Sequence, residues 1–304
     1  MKLINPSYEI LEQGEGLQGI YEQIERVGKT CYKSEVKGGE SAKNFVEKMI
    51  ANQHYAMLEH GTVYLAIPIT TGHSGGSEIN YMHNKYSVVT ESEGLSMKDE
   101  YNDPCDCWCV TTNLRVLVEN GWMDDLKYYL CEPTQWHVKR VCVRFICDRG
   151  VSHELVRHRV FSFAQESTRY CNYSKDKFGG EISYIMPSWF PEANMQQQEA
   201  FMQIMKATED YYMALLGQWD ERKPDARFKT GFKGNPLTPQ QARQVLPNAL
   251  KTEICMTGFV DDAGWKHFFD LRALDKTGPA HPDMKALALP LYNDFIKRGL
   301  INPQ

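Results

Sequence analysis

The stretch 152–170, reading SHELVRHRVFSFAQESTRY, concentrates groups that recognise anions. Arg157, Arg159 and Arg169 place three permanent positive charges within 13 positions, and His158 stands between the first two. Ser162, Gln165, Ser167 and Thr168 are interspersed among them. Guanidinium groups take phosphate in bidentate fashion, and hydroxyls and loop amides complete such sites. The chemistry this suggests is a pocket for one or more phosphorylated small molecules. The bland alternative is a solvated basic turn, or arginines paired with Glu154 and Glu166. Val160, Phe161 and Phe163 argue instead for partial burial, where a cation needs an anionic partner. Ser167 invites a nucleophile reading, but no activating base is evident beside it, so a binding role is expected.

Several elements must position these groups. The β-branched and aromatic run 141–147 reads as a strand, followed by a turn at Asp148-Arg149-Gly150. Ser152 is expected as the N-cap of a short helix, with Glu154 in its first turn and Arg157 one turn on. Upstream, 41–52 reads as a helix capped by Ser41, and 62–67 as a strand ended by Pro68. Residues 70–112 are rich in Gly, Ser, Asn and Asp with little periodicity, and read as an insertion without assigned role. Helical signals return at 113–120 and 124–130. In 196–219 they show as apolar groups at 201, 204, 205, 212, 215, 216 and 219. Thr238-Pro239 should open a helix running to about Leu250, and further helices are expected at 263–273 and 282–297. With no βαβ rhythm and no internal repeat, the expectation is α+β, one catalytic domain over 1–304 carrying the insertion.

Of the 304 residues, 42% are hydrophobic and 24% charged, as in ordinary globular proteins. The net charge of -5 argues against a protein that grips a nucleic-acid polymer, so anion recognition must be local. Nine cysteines at irregular spacing fit a reducing cytoplasm better than a disulfide framework. No apolar run is long enough for a membrane span, and no apolar leader opens the chain.

The run R-H-R, seven residues, then S, from Arg157 to Ser167, resembles the hallmark of flavin-dependent thymidylate synthases. Ser167-Thr168-Arg169-Tyr170 is similar to that family's S-x-R-Y continuation. Glu59-His60 before a strand resembles its E-H element, with Thr62 as the hydroxyl residue two positions on. Ala242 to Pro247 resembles its A-R-x-V-L-P helix, and Trp265 to Arg272 its W-x-H-F-x-x-L-R element. The chain departs where Cys31-Tyr32 replaces a usual Ser-Phe, where Glu154 replaces a Gln, and at Ala280 to Met284 after the last motif.

The resemblance implies mixed helices around a central, mostly antiparallel sheet. It implies reductive methylation of dUMP to dTMP, with methylenetetrahydrofolate giving the carbon and NADPH-reduced FAD giving the hydride. By the same resemblance, dUMP would meet Glu154, Leu155, Val156, Arg157, the loop Gln165, Glu166, Ser167, Thr168 and Arg169, and Arg243. Arg272 would polarise the uracil as the catalytic residue. FAD would meet His60, Thr62, Arg157, His158, Arg159, Gln165, the segment Asp261, Asp262 and Ala263, and His267. The family's homotetramers, with active sites shared between subunits, imply the same assembly here.

Three rival readings find less support in the sequence. A flavin-free thymidylate synthase needs a catalytic Cys, which Pro104-Cys105 offers without that family's surroundings. A metal site at Cys105, Cys107 and Cys109 lacks paired C-x-x-C spacing, and no metal is expected. An RNA grip by the R-H-R cluster lacks a basic stripe.

Overall fold

The structure, a computed structural model, describes residues 1–69, 77–93, 97–98, 104–217 and 235–303. In chain order, strands β1 (Lys2–Ile4) and β2 (Ser7–Leu11) lead into helices α1 (Gly16–Thr30) and α2 (Glu40–Ala51). Strand β3 (Thr62–Pro68) precedes α3 (Ser77–Met82), β4 (Val88–Glu91), β5 (Met97–Lys98), β6 (Pro104–Cys105) and β7 (Cys107–Asn113). Helices α4 (Leu114–Asn120) and α5 (Asp125–Tyr128) lead to β8 (Arg140–Asp148), α6 (Arg149–Leu155), β9 (Ser162–Gln165) and β10 (Ser183–Ile185). The chain then runs through α7 (Met195–Leu215), α8 (Pro239–Ala242), β11 (Lys251–Phe259), α9 (Trp265–Arg272) and α10 (Pro282–Lys297).

The central sheet has the order β2-β8-β11-β9, every pair antiparallel. Side chains alternate across it, so its register defines two faces. Val143, Phe145, Ile254 and Met256 face α6, α9 and α10, where Trp265, Phe268, Phe269, Leu291 and Phe295 close an aromatic core. Burying a ring of this size contributes roughly 1.5–3 kcal/mol, so this face is firmly packed. Cys142 and Cys255 face the other way, toward Leu11, Val27 of α1 and Ala164.

Helix α1 has a second apolar side. Its Ile20 and Ile24 pack with Val63, Leu65 and Val110 of a second antiparallel sheet, ordered β3-β7-β4. A third cluster joins the parallel pair β1-β10 to α7 through Tyr184, Met205 and Tyr212. The expected α+β class and antiparallel sheet are therefore what is observed.

Several expected boundaries move, each for a local reason. Asp148, not Ser152, caps α6: its side chain accepts the Val151 amide at 2.8 Å. Ser152 lies inside the helix with its hydroxyl donating to the Arg149 carbonyl, and Glu154 falls at the helix end rather than its start. Likewise Gly39, not Ser41, precedes α2. The helix opened by Thr238-Pro239 stops at Ala242, passes into a short 3-10 turn at Arg243–Val245, and gives way to β11. Within 70–112, the described residues include β4 and β7, which complete the second sheet; 70–76, 94–96 and 99–103 lie outside the described residues. The last part of the 196–219 helix, with Trp219, also lies outside them.

Candidate active site

Helix α6 ends at Leu155, which is buried, while Val156 is exposed. The chain then turns tightly: His158 N–H bonds to the Leu155 carbonyl at 3.0 Å and Phe161 N–H to the His158 carbonyl at 3.2 Å. Phe161 seats this turn on β11. A Cβ at Gly258 would lie 2.3 Å from its Cδ1, so only glycine lets the ring lie on the strand backbone. The turn thereby presents Arg157 and Arg159 outward. Both are exposed, and neither side chain is hydrogen-bonded or ion-paired among the described residues.

His158 points inward, edge-on to Phe161 and Phe268. Arg272, the last residue of α9, meets it there: Nε donates to His158 Nε2 at 3.1 Å and Nη1 to Glu154 Oε2 at 2.9 Å. Because Nε2 accepts, the ring proton belongs on Nδ1. Burial first, then the charges of Arg272, His267 and Arg157, push His158 from 6.5 down to about 4. The imidazole is neutral at pH 7 and serves as a fixed acceptor. Two elements therefore hold one guanidinium, leaving its remaining donors for a ligand. His267, a little more than a turn earlier on α9, is exposed. Before it, Asp261 accepts the Gly264 amide at 2.6 Å, Asp262 pairs with Lys266, and Ala263 is exposed.

Gln165 ends β9 with its amide donating to Ser152 Oγ at 2.8 Å and Thr252 Oγ1 at 3.2 Å. One residue later the chain direction places Glu166 on the opposite side of the sheet, where it is buried. Its carboxylate accepts from Tyr173 Oη at 3.0 Å and Lys251 Nζ at 2.8 Å. Lys251 also donates to Glu253 at 2.8 Å, and Lys33 pairs with the same carboxylate. Burial works against both charged forms, but the two carboxylates together raise Lys251, and the two lysines lower Glu253. The loop beyond is tied down as well: Ser167 N–H bonds to the Cys31 carbonyl at 3.0 Å, and Tyr170 packs on Tyr32. Thr168 accepts from Arg243 Nη1 at 3.4 Å, and Arg169 Nε donates to Gln240 at 3.1 Å. Arg169 and Arg243 remain exposed.

His60 and Thr62 lie elsewhere. His60 is buried with Nδ1 2.7 Å from Thr257 Oγ1, on the sheet face opposite the aromatic core. Its Nε2 is buried without a partner among the described residues. Thr62 is fixed by Gln13, which exchanges two 2.8 Å hydrogen bonds with its backbone. Both line a cleft of about 560 Å³ together with Arg140 and Cys142. The expected residues thus fall into three groups: Glu154, Arg157, His158, Arg159, Arg272 and His267; Thr168, Arg169 and Arg243; and His60 with Thr62. One protomer keeps the last group on the far face from the first.

Sequence reasoning missed Lys33, Arg140, Tyr173, Lys251 and Glu253. Lys33 and Arg140 find their partners far away in sequence, and the short spacings of Lys251–Glu253 and Tyr173–Glu166 match no familiar motif. Cys105 lies on β6, which pairs with β5, whereas the arginines stand on turns and helices around the central sheet. The cysteines are free thiols, and among the described residues no group of three or more His, Cys, Asp or Glu could hold a metal ion. No helix among the described residues is long and apolar enough to cross a membrane.

The family model for thymidylate synthase complementing proteins matches residues 137–298, just over half of the chain. The flavin-dependent thymidylate synthase of Corynebacterium glutamicum is 34% identical over 128 residues, 41% of this chain and 46% of that protein. That of Pyrococcus furiosus is 27% identical over 157 residues, 52% of this chain and 54% of that protein. The chain therefore spans about half the length of the curated relatives it matches. A structure of the UMP/dUMP methylase PolB from Streptomyces cacaoi, bound with 5-Br dUMP, covers 98% of this chain and 93% of its own, at 13% identity and a TM-score of 0.42. On the family match, which takes in the R-H-R turn, the Arg243 turn and α9, the chain belongs to the thymidylate synthase complementing protein family.

Proposed function

We propose that this chain is a flavin-dependent thymidylate synthase, converting dUMP to dTMP with methylenetetrahydrofolate as carbon donor and NADPH-reduced FAD as hydride source. The observation that carries the reading is the Arg272 guanidinium, braced by Glu154 and neutral His158 beside the unpaired Arg157. A fixed cation at the N3/O2 edge of uracil stabilises negative charge on the ring and raises electron density at C5. Because both braces are in place before substrate arrives, little reorganisation is needed in the reaction. Arg243, Arg169, Ser167 and Thr168 take the dUMP phosphate, with the loop held from beneath by Glu166.

The residues present fit a flavin dinucleotide. Arg157 and Arg159 offer unpaired charge to a diphosphate, and His60 offers a buried nitrogen that lacks a partner among the described residues. His158, with its proton on Nδ1, and exposed His267 supply further contacts, with Gln165, Thr62 and the Asp261–Ala263 turn alongside. FAD would supply the hydride transfer, which no side chain here can perform. Because His60 and Thr62 lie on the far side of the sheet from Arg157 and Arg272, a complete site calls for more than one protomer. A homotetramer with shared sites, working in the cytoplasm, accounts for that separation.

The test is a visible spectrum of the purified protein under anaerobic conditions. Flavin absorbance near about 450 nm that NADPH bleaches and dUMP perturbs is the expected result. A protein that takes up no flavin and ignores dUMP would overturn the reading.

A further inference from the structure

Four charged side chains meet beneath the loop 166–171, and the mechanism uses none of them. The side chains of Glu166, Lys251 and Glu253 are only 1%, 13% and 7% exposed. Lys251 Nζ donates to Glu166 Oε2 and to Glu253 Oε1, each at 2.8 Å, and Lys33 pairs with the same Glu253 oxygen. Two carboxylates therefore face two ammonium groups. Among the described residues, Lys251 is the cation that both carboxylates share. Charges buried this far are costly unless they balance.

The loop sits directly on this quartet. Glu166 N–H bonds to the Glu253 carbonyl at 2.8 Å, and Cys171 N–H closes the loop onto the Ser167 carbonyl at 2.9 Å. Burial chiefly pushes the Cys171 thiol up to about 11; Glu166 adds to that rise, whereas Lys177 and Lys251 oppose it. The charges of Glu166 and Lys251 thus act inside the loop in opposite directions. An anion held at Ser167, Thr168 and Arg169 lies within reach of the same charges, since Ser167 directly follows Glu166. One uncancelled unit charge at such a distance, poorly screened by water, changes an anion's affinity by about tenfold.

We propose that Lys251 is a positioning residue that sets the loop's preference for a phosphorylated over an unphosphorylated nucleoside. It acts through Glu166 and Glu253: by cancelling their charge it keeps the field beneath the loop from repelling a phosphate dianion. The inference rests on the proposed function, in which this loop takes the dUMP phosphate, and adds what governs its selectivity. Charge balance, rather than the individual contacts of the quartet, is the property that matters.

Equilibrium binding of dUMP and of deoxyuridine to the intact protein gives the ratio of affinities that reads the phosphate. Lys251→Met leaves one net negative charge in the quartet and should lower that ratio by about tenfold relative to wild type. Glu166→Gln leaves one net positive charge and should raise it by about threefold or more. The double variant Lys251→Met/Glu166→Gln is balanced again and should return to within about threefold of wild type, as should Lys251→Arg. A purely structural clamp gives a different pattern, because Glu166→Gln and the double variant both break the Glu166–Lys251 ion pair and would each lower the ratio or leave it unmoved. Thermal midpoints identify a variant that fails to fold; if Lys251→Met does, Glu166→Gln and the double variant carry the comparison. Ratios that do not follow the charge of the quartet overturn the inference and leave the proposed function standing. A wild-type protein that binds dUMP no better than deoxyuridine removes the phosphate from this loop and overturns the inference together with that part of the proposed function.

Discussion

The two faces of the central sheet solve different problems. One is closed by α9 and α10 with aromatic side chains and has charged groups at its rim, where Arg272 meets Glu154 and His158. The other buries polar and charged groups outright: the Glu166–Lys251–Glu253–Lys33 network, His60 against Thr257, and Arg140 beside the cleft. The apolar face obtains rigidity from packing, which is insensitive to pH and salt. The polar face obtains geometry from paired charges, which are costly to break. In the proposed function, a site assembled from both would have a rigid cation, Arg272, on one side and a polar binding surface on the other.

Substitutions can break this contrast in order of expected effect. Arg272→Ala should lower turnover by about a thousandfold, as for the loss of a preorganised charge-stabilising donor, with flavin still bound. Stopped-flow turnover and the flavin spectrum check this, and near wild-type turnover would remove Arg272 from its role. Next, Lys251→Met leaves the buried Glu166 carboxylate without a cation, and should cost about 3–5 kcal/mol of stability. Urea unfolding measures it; a loss under about 1 kcal/mol would mean that the network contributes as little as surface pairs do.

Arg243→Ala should act on binding alone, weakening dUMP by about tenfold to a hundredfold through one charge-assisted contact. Unchanged dUMP affinity in a titration would remove Arg243 from the phosphate seat. The smallest effect is on pH dependence. His158 titrates at about 4 in the folded chain against an ordinary 6.5, so between those values only the unfolded chain takes up the proton. Its contribution to stability is complete above pH 6.5 and is lost as pH falls toward 4. Urea midpoints across that window should fall less steeply in His158→Gln than in wild type; equal slopes would contradict the neutral buried ring.

The arginine-rich turn and the order of α9 and α10 could be read from residue types, because caps and apolar spacing there are local. Strand β11 could not. It is buried along nearly its whole length and carries Thr252, Glu253 and Thr257 inward, so it shows no alternation of polar and apolar residues. Thr238-Pro239 does open a helix, yet that helix is short because Leu246-Pro247 cannot continue one. Strand β7 escaped for the same reason as β11, being buried on both sides within a Gly- and Asn-rich stretch. Among candidate site residues, Arg272 and His158 are legible from the motifs, whereas Arg140 and the Lys251–Glu166 pair depend on partners far away in sequence. Glu166 was expected beside dUMP, and its carboxylate is instead committed to Tyr173 and Lys251.

The central sheet joins residues near the start of the chain to residues near 259, with β11 as an interior strand between β8 and β9. During synthesis, β2, β8 and β9 emerge long before the strand that unites them. Until Lys251–Phe259 leaves the ribosome, β9 has no neighbour and β8 exposes an edge with its apolar residues uncovered. Contacts so distant in sequence form slowly, and unpaired edges invite association with other chains. The nascent protein should therefore depend on chaperone protection until that ninth-decade strand arrives, and a ribosome stalled just before residue 251 should hold a chain that proteases cut readily.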